Sequence, residues 1–271
     1  MNNIKCPITG DVKAKLIFSY NAPPLNEISL KTVKIQKYKR EVWQFLPSGH
    51  FVSIHSMNLD DFYKGAYMEA TYNNLNSMIK TYNKIISLPI YKSDNMGRFN
   101  AVNSFYKKWY KEKIIPKLLD IGSGLGVFPY LVNKHGWDCT AIDPDPRSID
   151  HIVKKIKIKG LCGDFMNLSP NKKYDIVTLN KVLEHVEDPI SMLSRVNKWI
   201  KDDGFVYIEL PDGENASKEG KEREEFFIEH LHIFSSESTK ILANKAGFKV
   251  QMISQIQEPS SKYTIRAFLS K

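Results

Sequence analysis

A glycine-rich turn is the segment of this sequence best suited to holding a nucleotide-like ligand. The apolar run at 117–122 contains Asp120 and leads into the spacing Gly122-x-Gly124-x-Gly126. Glycines let the backbone pass close to a ligand, and the N-terminus of a following helix presents free N–H groups. The dinucleotide fingerprint has the different spacing GxGxxG. The turn therefore predicts a ligand site and leaves the ligand open.

Polar residues at three later strand ends favour a nucleoside as that ligand. Asp143 lies 21 residues beyond Gly122, where a carboxylate can accept hydrogen bonds from both hydroxyls of a ribose. Asp164 ends the next predicted strand, where a side chain can meet an adenine amino group, and Asn180 ends the strand after that. Ligands of open α/β sheets bind at these strand ends, so the ordered set predicts a nucleoside site.

Two histidine-containing segments could supply a general base. His185 follows the strand that ends at Asn180, and His230 and His232 follow the next strand. The pKa of a histidine side chain lies near neutrality, which suits it to take a proton from an acceptor group. A lone histidine is more often a packing or capping residue. Two such segments on one side of the predicted ligand site favour a catalytic role.

Alternating strands and helices must position these residues. Short strands are predicted at 13–20, 31–38 and 50–55, then helices within 59–86 and at 98–112. Further strands are predicted at 117–122, 138–143, 158–164, 174–180 and 205–211, with helices at 126–135, 146–156 and 188–201. The remainder is predicted as a turn at 201–204, a helix at 235–246 and an antiparallel strand pair at 249–256 and 263–269. This order predicts an α/β fold with a doubly wound, mostly parallel sheet and a small N-terminal α+β domain.

Composition limits the partners and the compartment of this 271-residue chain. Lys and Arg total 39 against 30 Asp and Glu, and the net charge of +9 favours anionic partners such as nucleotides, phosphosugars or nucleic acid. The lysines are dispersed, so nucleic acid is the less favoured partner. Three scattered cysteines without a CxxC pair exclude a cysteine zinc cluster and indicate a reducing compartment. The polar N-terminus and the lack of a long apolar run predict a cytoplasmic protein without membrane insertion.

The segment from about residue 95 to 271 resembles the class I S-adenosylmethionine-dependent methyltransferases. The resemblance rests on LLDIGSGLG, AIDPD, CGDF, YDIVTLNKVLEHVEDP and DDGFVYIELP. It implies a Rossmann-like, seven-stranded sheet whose last strand is antiparallel, and S-adenosyl-L-methionine as the cofactor. A nicotinamide-binding Rossmann domain fits less well, because the glycine spacing differs and the LEHVEDP segment is present.

The same resemblance implies where the cofactor binds. Asp120, Gly122 and Gly124 would lie near the amino acid part of the methyl donor, and Asp143 would bind its ribose. Its adenine would lie between Asp164 and Phe165. The implied cofactor-binding set is completed by three residues beside these positions or at the fourth strand end, namely Pro144, Gly163 and Asn180.

Within that class, the LEHV and EHLHIF segments are similar to the branch that acts on sugars and other small molecules. This branch includes C-methyltransferases of nucleotide-linked ketosugars, and it implies His230 as the base, Glu229 as its partner and His185 as a second acceptor-site group. Some methyltransferases of quinone precursors and of RNA 3′ ends hold a divalent cation with an ExxEH segment. Lys181 occupies the first glutamate position here, and an ammonium group cannot replace an oxygen ligand, so a metal site is disfavoured. Glu184, His185 and His230 or His232 remain as possible ligands, and the use of a divalent metal is left open.

The N-terminal part resembles the zinc module of the sugar C-methyltransferases after loss of the metal. Cys6 keeps one ligand position, whereas Thr9, Phe45 and Ser48 occupy the other three. One thiol cannot replace four ligands, so side-chain packing would have to stabilise the module. The predicted domains are a degenerate zinc-ribbon-like β module at 1–57, a helical lid or linker at 58–112 and the cofactor-binding domain at 113–271.

Two segments are candidates for covering the acceptor. Tyr67 and Tyr72 lie in an aromatic stretch that either reaches the acceptor or forms the core of a helix. The charged segment 212–229 is either a solvated helix or a lid with Phe226 and Phe227 packed inward.

The sequence therefore predicts an S-adenosylmethionine-dependent methyltransferase that acts on a sugar, a nucleotide-linked sugar or another small polar metabolite. Its biological context could be bacterial surface polysaccharide biosynthesis, and Arg98 and Arg223 are candidates for contacting a phosphate of the acceptor. Loss of the zinc cysteines favours O-methylation over C-methylation. Two alternatives remain, an RNA or protein methyltransferase and a non-catalytic donor-binding pseudoenzyme. The oligomeric state is left open.

Overall fold

Within the residues that the structure describes, the N-terminal part of the chain forms three strands and two helices. The computed structural model describes residues 5–27, 38–57, 75–111 and 115–271. Its first elements are β1 (Lys13–Tyr20), β2 (Arg40–Leu46), β3 (His50–His55), α1 (Leu75–Ile86) and α2 (Asp94–Trp109). The predicted strand at 31–38 and the tyrosines Tyr67 and Tyr72 lie outside the described residues, apart from position 38.

Strands and helices alternate in the rest of the chain, as the sequence predicts. The strands are β4 (Lys117–Ile121), β5 (Asp138–Asp143), β6 (Lys159–Cys162), β7 (Tyr174–Asn180), β8 (Ile200–Pro211), β9 (His232–Ile233), β10 (Lys249–Gln257) and β11 (Tyr263–Ser270). The helices are α3 (Val127–Lys134), α4 (Pro146–His151), α5 (Pro189–Arg195), α6 (Gly213–Ala216) and α7 (Ser236–Lys245). None of the helices in the described part of the chain is long and apolar enough to cross a membrane.

Seven strands form one sheet in the order β10-β11-β8-β7-β4-β5-β6. The pairs from β8 to β6 are parallel, whereas β11 runs antiparallel to both of its neighbours. The predicted doubly wound sheet with an antiparallel last strand is therefore confirmed. Because β4, β5 and β7 are parallel neighbours, their carboxyl ends lie along one edge of the sheet.

Both faces of this sheet are buried, which explains why its central strands are apolar runs rather than alternating patterns. On one face Leu119, Val177 and Ile208 pack against α5 and α7, and on the other Leu118 and Ile176 pack against α2 and α3. Alternate residues of a strand point to opposite faces, so one apolar run supplies both cores.

A second sheet has the order β1-β2-β3-β9. Its last strand comes from the C-terminal half of the chain, because Phe51 pairs with Ile233 and Val52 with His232. Strand β2 was not predicted from the sequence, and it begins with a charged residue, Arg40. The structure buries Arg40 to 1% exposure against Glu27, which lies 13 residues earlier.

Two local predictions are wrong. Residues 201–204 continue strand β8 instead of forming a turn, because β8 bulges there: Tyr174 pairs with Ile200, but Ile176 pairs with Phe205. The helix predicted at 188–201 is α5, which ends at Arg195 and passes into a short 3₁₀ turn.

The two arginines proposed for phosphate contact are held by carboxylates instead. Arg98 Nε donates to Glu209 Oε2 at 2.8 Å, and the other Glu209 oxygen lies 3.2 Å from Arg266. This buried ion network ties α2 to β8 and β11. Arg223 pairs with Glu225 at 2.8 Å. Both guanidinium groups therefore serve the fold at these positions.

Candidate active site

The glycine-rich turn follows β4 with the left-handed backbone that its glycines permit. Gly122 has φ +70° and Gly124 has φ +50°, a region that other residues rarely adopt. A Cβ on Gly122 would lie 2.6 Å from Val182 Cγ2, so this glycine is required for packing. A Cβ on Gly124 would meet nothing within 4 Å. Val182 therefore leaves no room for a side chain at Gly122, whereas the space beside Gly124 is free for a ligand.

Asp143, at the end of β5, is buried beneath this turn. Its Oδ2 accepts the Gly124 N–H at 2.8 Å and its Oδ1 accepts the Asp145 N–H at 2.9 Å. Burial raises the pKa of this carboxyl, and the two N–H donors oppose that shift. The carboxylate thus fixes the glycine turn and keeps further lone pairs for a ligand.

Asp120 and Asn180 lie side by side on neighbouring strands. Asp120 Oδ1 accepts hydrogen bonds from Asn180 Nδ2 at 2.7 Å and from Thr178 Oγ1 at 2.6 Å. Burial raises the pKa of Asp120 to about 6, although these hydrogen bonds act in the opposite direction. Asn180 Oδ1 is buried without a hydrogen-bond partner among the residues that the structure describes. A buried acceptor of this kind requires a donor from a ligand or water.

The other predicted cofactor residues flank β6. Gly163 N–H donates to Asp143 O at 3.1 Å, so this strand end is tied to that of β5. Pro144 and Asp164 are exposed at the same edge, and Asp164 Oδ1 accepts the Met166 N–H at 2.9 Å. The ring of Phe165 is 3% exposed and belongs to the core beneath the edge.

A polar pocket of about 180 Å³ adjoins these residues. It begins at Lys181, directly after Asn180, and Pro211 is its one apolar lining residue. The lining consists of Lys181, Glu184, His185, Pro211, Glu224, Glu225, Glu229, His230, Lys262 and Tyr263. Such a surface offers hydrogen bonds to a polar ligand, and polar atoms make up the larger part of it.

His185 and His230 face each other in this pocket, with ring centroids 5.0 Å apart. His185 Nδ1 lies 2.8 Å from the main-chain oxygen of Glu229, and His230 Nδ1 lies 2.9 Å from that of Glu225. A carbonyl oxygen only accepts, so each Nδ1 carries the hydrogen and each Nε2 holds the lone pair. Burial lowers the pKa of His185 to about 4 and that of His230 well below its usual value. Both imidazoles are therefore neutral near pH 7.

The glutamates near the two histidines differ from the sequence-based expectation. Glu229, the predicted side-chain partner of His230, contacts His185 through its main-chain oxygen. Glu184 was considered from the sequence only as a possible metal ligand, and it lines the pocket at 1% exposure. Its two carboxyl oxygens have no hydrogen-bond partner within the described ranges. Burial raises the pKa of Glu184 to about 8, so its neutral form is favoured at pH 7.

Glu184, His185 and His230 also approach closely enough to be considered as metal ligands. One ligand atom from each lies within 4.8 Å of the others. Lys181 lines the same pocket, and its ammonium group opposes a bound cation. The absence of a catalytic metal stays a prediction.

We expect alanine substitutions at the two glycines to lower the stability of the protein by different amounts. Gly122→Ala should lower the free energy of unfolding by about 1–3 kcal/mol, because the new Cβ collides with Val182 and φ is positive. Gly124→Ala should cost only about 1 kcal/mol, since the strain there comes from the backbone alone. Urea denaturation of both variants measures the difference. Equal losses of unfolding free energy would contradict the assigned difference, namely that only a side chain at Gly122 collides with Val182.

Comparison with known families identifies the catalytic class. Residues 92–253, more than half of the chain, match a family model described as a methyltransferase domain. This match covers the glycine turn, the carboxylates at the sheet edge and the pocket histidines.

Curated relatives match over shorter segments. The ubiquinone biosynthesis O-methyltransferase of Actinobacillus pleuropneumoniae serotype 7 (strain AP76) is 28% identical over 102 residues, which are 34% of this chain and 44% of that protein. The protein of the same description from Rickettsia bellii (strain OSU 85-389) is 29% identical over 119 residues, or 42% of this chain and 50% of that protein. The matches therefore span about half the length of these relatives.

Solved structures share the fold at low sequence identity. The 1,6-didemethyltoxoflavin-N1-methyltransferase of Burkholderia thailandensis, with S-adenosylhomocysteine bound, has a TM-score of 0.56 at 12% identity and covers 84% of this chain and 99% of that one. The magnesium protoporphyrin IX methyltransferase of Synechocystis PCC 6803, also with S-adenosylhomocysteine, has a TM-score of 0.54 at 15% identity and covers 73% and 97%.

The donor-side residues fit S-adenosylmethionine by their own chemistry. Asp120 and Asp143 place two carboxylates at one sheet edge, Asn180 Oδ1 requires a donor, and the backbone at Gly124 is open to a ligand. These groups match a molecule that carries an ammonium group and ribose hydroxyls. The chain therefore belongs to the methyltransferase-domain family, and these residues fit S-adenosylmethionine as its cofactor.

Proposed function

We propose that this chain methylates a hydroxyl oxygen of a small polar acceptor, with a sugar or nucleotide-linked sugar as the favoured class. The observation that carries the proposal is the polar pocket that follows Asn180 directly and contains the neutral histidine pair. Hydroxyl groups can exchange hydrogen bonds with its carboxyl, ammonium and imidazole groups. An apolar acceptor would leave these polar groups without hydrogen-bond partners. The surface-polysaccharide context stays a prediction.

On the donor side, each residue has a distinct proposed role. S-adenosylmethionine, when bound, supplies an electrophilic methyl group. Asp120, oriented by Asn180, would hold the ammonium group of its amino acid part, and Asp143 would accept the ribose hydroxyls. Asp164, beside Gly163, would meet the adenine amino group. Because the methyl group is already activated, these residues contribute mainly by alignment.

On the acceptor side, His230 is the proposed general base. Its Nδ1–H is committed to the Glu225 carbonyl, so Nε2 is the atom that would take the hydroxyl proton. His185 faces it with the same tautomer and would hold the acceptor. Glu229 joins the pair through its main-chain oxygen, and its carboxyl lines the pocket.

Methylation of oxygen is favoured over carbon by two observations. The curated relatives reported above are O-methyltransferases, although the match covers about half of their length. The zinc positions of the C-methylating group are also occupied by a hydrogen-bonded cluster here. Thr9 N–H contacts Cys6 Sγ at 3.4 Å, and Asp11 Oδ2 accepts from Thr9 Oγ1 at 2.8 Å and from Ser48 N–H at 3.3 Å. We interpret this cluster as a zinc-ribbon relic held by side chains.

The test is methyl transfer to a panel of acceptors, with the products identified by mass spectrometry. Nucleotide sugars and free sugars form one arm, and catechol quinone precursors and RNA form the others. The proposal expects transfer to a sugar hydroxyl and none to RNA. Transfer to a catechol or to RNA alone would overturn the acceptor class, and donor binding without transfer in any arm would favour a pseudoenzyme.

The affinity for S-adenosylhomocysteine should fall at acidic pH. Asp120 has a raised pKa of about 6, so the carboxylate that would hold the ammonium group is present above pH 6 and is lost as the pH falls below it. At pH 5 about one tenth of the groups are ionised, so the affinity should be about tenfold lower than at pH 7.5. Calorimetric titration at several pH values measures this change. Asp120→Asn should bind weakly with a flatter pH profile, and an unchanged slope in that variant would exclude Asp120 as the titrating group.

A further inference from the structure

The segment 226–232 carries Glu229 and His230 but has little regular structure of its own. It follows a 3₁₀ turn at Glu224–Phe226 and ends in the two-residue strand β9. The position of a catalytic imidazole in such a segment depends on contacts from elsewhere in the chain.

An arginine of strand β2 holds the beginning of this segment. Arg40 donates from Nη1 to the main-chain oxygen of Phe226 at 2.6 Å. Its Nη2 donates to Glu27 Oε1 at 3.1 Å and its Nε to Tyr38 Oη at 3.0 Å. The guanidinium carbon also lies 4.1 Å from the centre of the Tyr20 ring. Glu27, Tyr38 and Tyr20 thus hold the guanidinium group in place while it donates a hydrogen bond to the Phe226 carbonyl.

Glu27 binds the same segment at Ile228, two residues after Phe226. Its Oε1 accepts the Ile228 N–H at 2.7 Å, and its Oε2 accepts from Tyr38 Oη at 2.7 Å. The ion pair therefore bonds the segment at Phe226 and at Ile228, directly before Glu229 and His230.

The far side of His230 is held as well. Leu231 N–H donates to the main-chain oxygen of Glu184 at 2.8 Å, and Leu231 O accepts the Ser53 N–H at 3.1 Å. The backbone around His230 is consequently bonded at 226, 228 and 231, and the partners are Arg40, Glu27, Glu184 and Ser53. Its ring can then keep Nδ1 on the Glu225 carbonyl at 2.9 Å.

We propose that the buried Glu27–Arg40 pair is a positioning device for the His230 segment, through which the N-terminal sheet sets the geometry of the acceptor pocket. Stability alone does not account for the pair, because a buried ion pair can often be replaced by apolar residues without loss. Its directional bonds to Phe226 and Ile228 give it a role that apolar packing cannot supply. The catalytic part of this inference rests on the proposed function, whereas the structural part does not.

Arg40→Met and Glu27→Gln test the device, with Glu41→Gln as the matched control. Glu41 is adjacent to Arg40 on β2, and its carboxylate accepts from Trp43 Nε1 at 2.9 Å. Glu27→Gln keeps the side-chain shape and provides a folded variant if Arg40→Met is too unstable. Amide hydrogen exchange at Ile228 and Leu231 should accelerate at least tenfold in both test variants and stay unchanged in the control. Calorimetric affinity for S-adenosylhomocysteine should change less than twofold in all three.

Two further readouts separate positioning from general damage. With an acceptor in hand, kcat should fall roughly tenfold to a hundredfold in the test variants while KM changes little, because small misplacements of a reacting group carry such penalties. Long-range ¹H–¹⁵N spectra should show His230 losing its single Nδ1–H tautomer. Unchanged exchange and imidazole spectra in folded variants, or equal losses of donor affinity and kcat, would overturn the proposal. If amide exchange accelerates in the test variants but the wild type shows no methyl transfer, the positioning role of the ion pair would be supported and the proposed function would be refuted.

Discussion

Replacing His230 by glutamine is expected to lower kcat for methyl transfer to a hydroxyl acceptor by about 10²–10⁴-fold. Glutamine can still donate a hydrogen bond to the Glu225 carbonyl, which His230 Nδ1 contacts at 2.9 Å, but it has no basic nitrogen. The imidazole is neutral near pH 7 because burial lowers its pKa, so Nε2 is ready to take a proton without first losing one. Steady-state kinetics with the acceptor found in the panel would measure the loss.

His135→Gln is the control for this prediction. His135 follows α3, where Nδ1 lies 2.8 Å from Leu131 O and the ring stacks on Phe99 at 4.1 Å. We expect its kcat to stay within twofold of the wild type. The affinity of His230→Gln for S-adenosylhomocysteine should also be unchanged, since the hydrogen bond and ring contact of His230 within the described residues go to Glu225 and His185, on the acceptor side. A His230→Gln enzyme that keeps a third or more of the wild-type rate would exclude His230 as the base.

Asp143→Ala should weaken binding of S-adenosylhomocysteine by about 100-fold or more. Hydrogen bonds to a charged group contribute about 1.5–3 kcal/mol each, and the substitution removes those proposed to the ribose. It also frees the Gly124 and Asp145 N–H groups, which the carboxylate holds at 2.8 and 2.9 Å, so the glycine turn loses its fixed shape. Isothermal titration calorimetry measures the change directly.

Asp138→Ala, at the start of the same strand, is the matched control. Asp138 forms an exposed ion pair with Lys159 at 2.8 Å, and such pairs contribute little. Cys162 gives a second readout, because it is exposed beside the donor site while Cys6 and Cys139 are buried. Bound S-adenosylhomocysteine should slow the reaction of Cys162 with a thiol reagent in the wild type and in Asp138→Ala, but not in Asp143→Ala. Wild-type affinity in Asp143→Ala would refute the assigned donor site.

Local sequence patterns were sufficient where the physical cause is itself local. The apolar run before Gly122 predicts a buried strand. The three glycines predict the turn because glycine tolerates positive φ, and in the structure all three have positive φ. Asp143 and Asn180 each close an apolar run, so the sequence predicts them at strand ends. Topology then brings these ends to one edge, as parallel pairing requires.

Patterns failed where a distant partner decides the outcome. Strand β2 was not predicted, and its first residue, Arg40, is buried because Glu27 and the Phe226 carbonyl accept its hydrogen bonds. Asp202, Asp203 and Gly204 read as a turn, but pairing of β8 with β7 keeps them in the strand as a bulge. Tertiary pairing overrides local preference in both cases.

The sequence by itself determined the fold class, because strand, turn and helix recur in the order typical of a doubly wound sheet. The donor site that it predicts at the strand ends stays a prediction. Only the tertiary structure determined the geometry of the proposed acceptor pocket. His185 and His230 are 45 residues apart, and their 5.0 Å approach depends on carbonyls of Glu229 and Glu225 and on an ion pair from the N-terminal sheet. The burial of Glu184 arises from the same packing. Side-chain burial and hydrogen-bond geometry are properties of the assembled chain, so no spacing in the sequence could have fixed them.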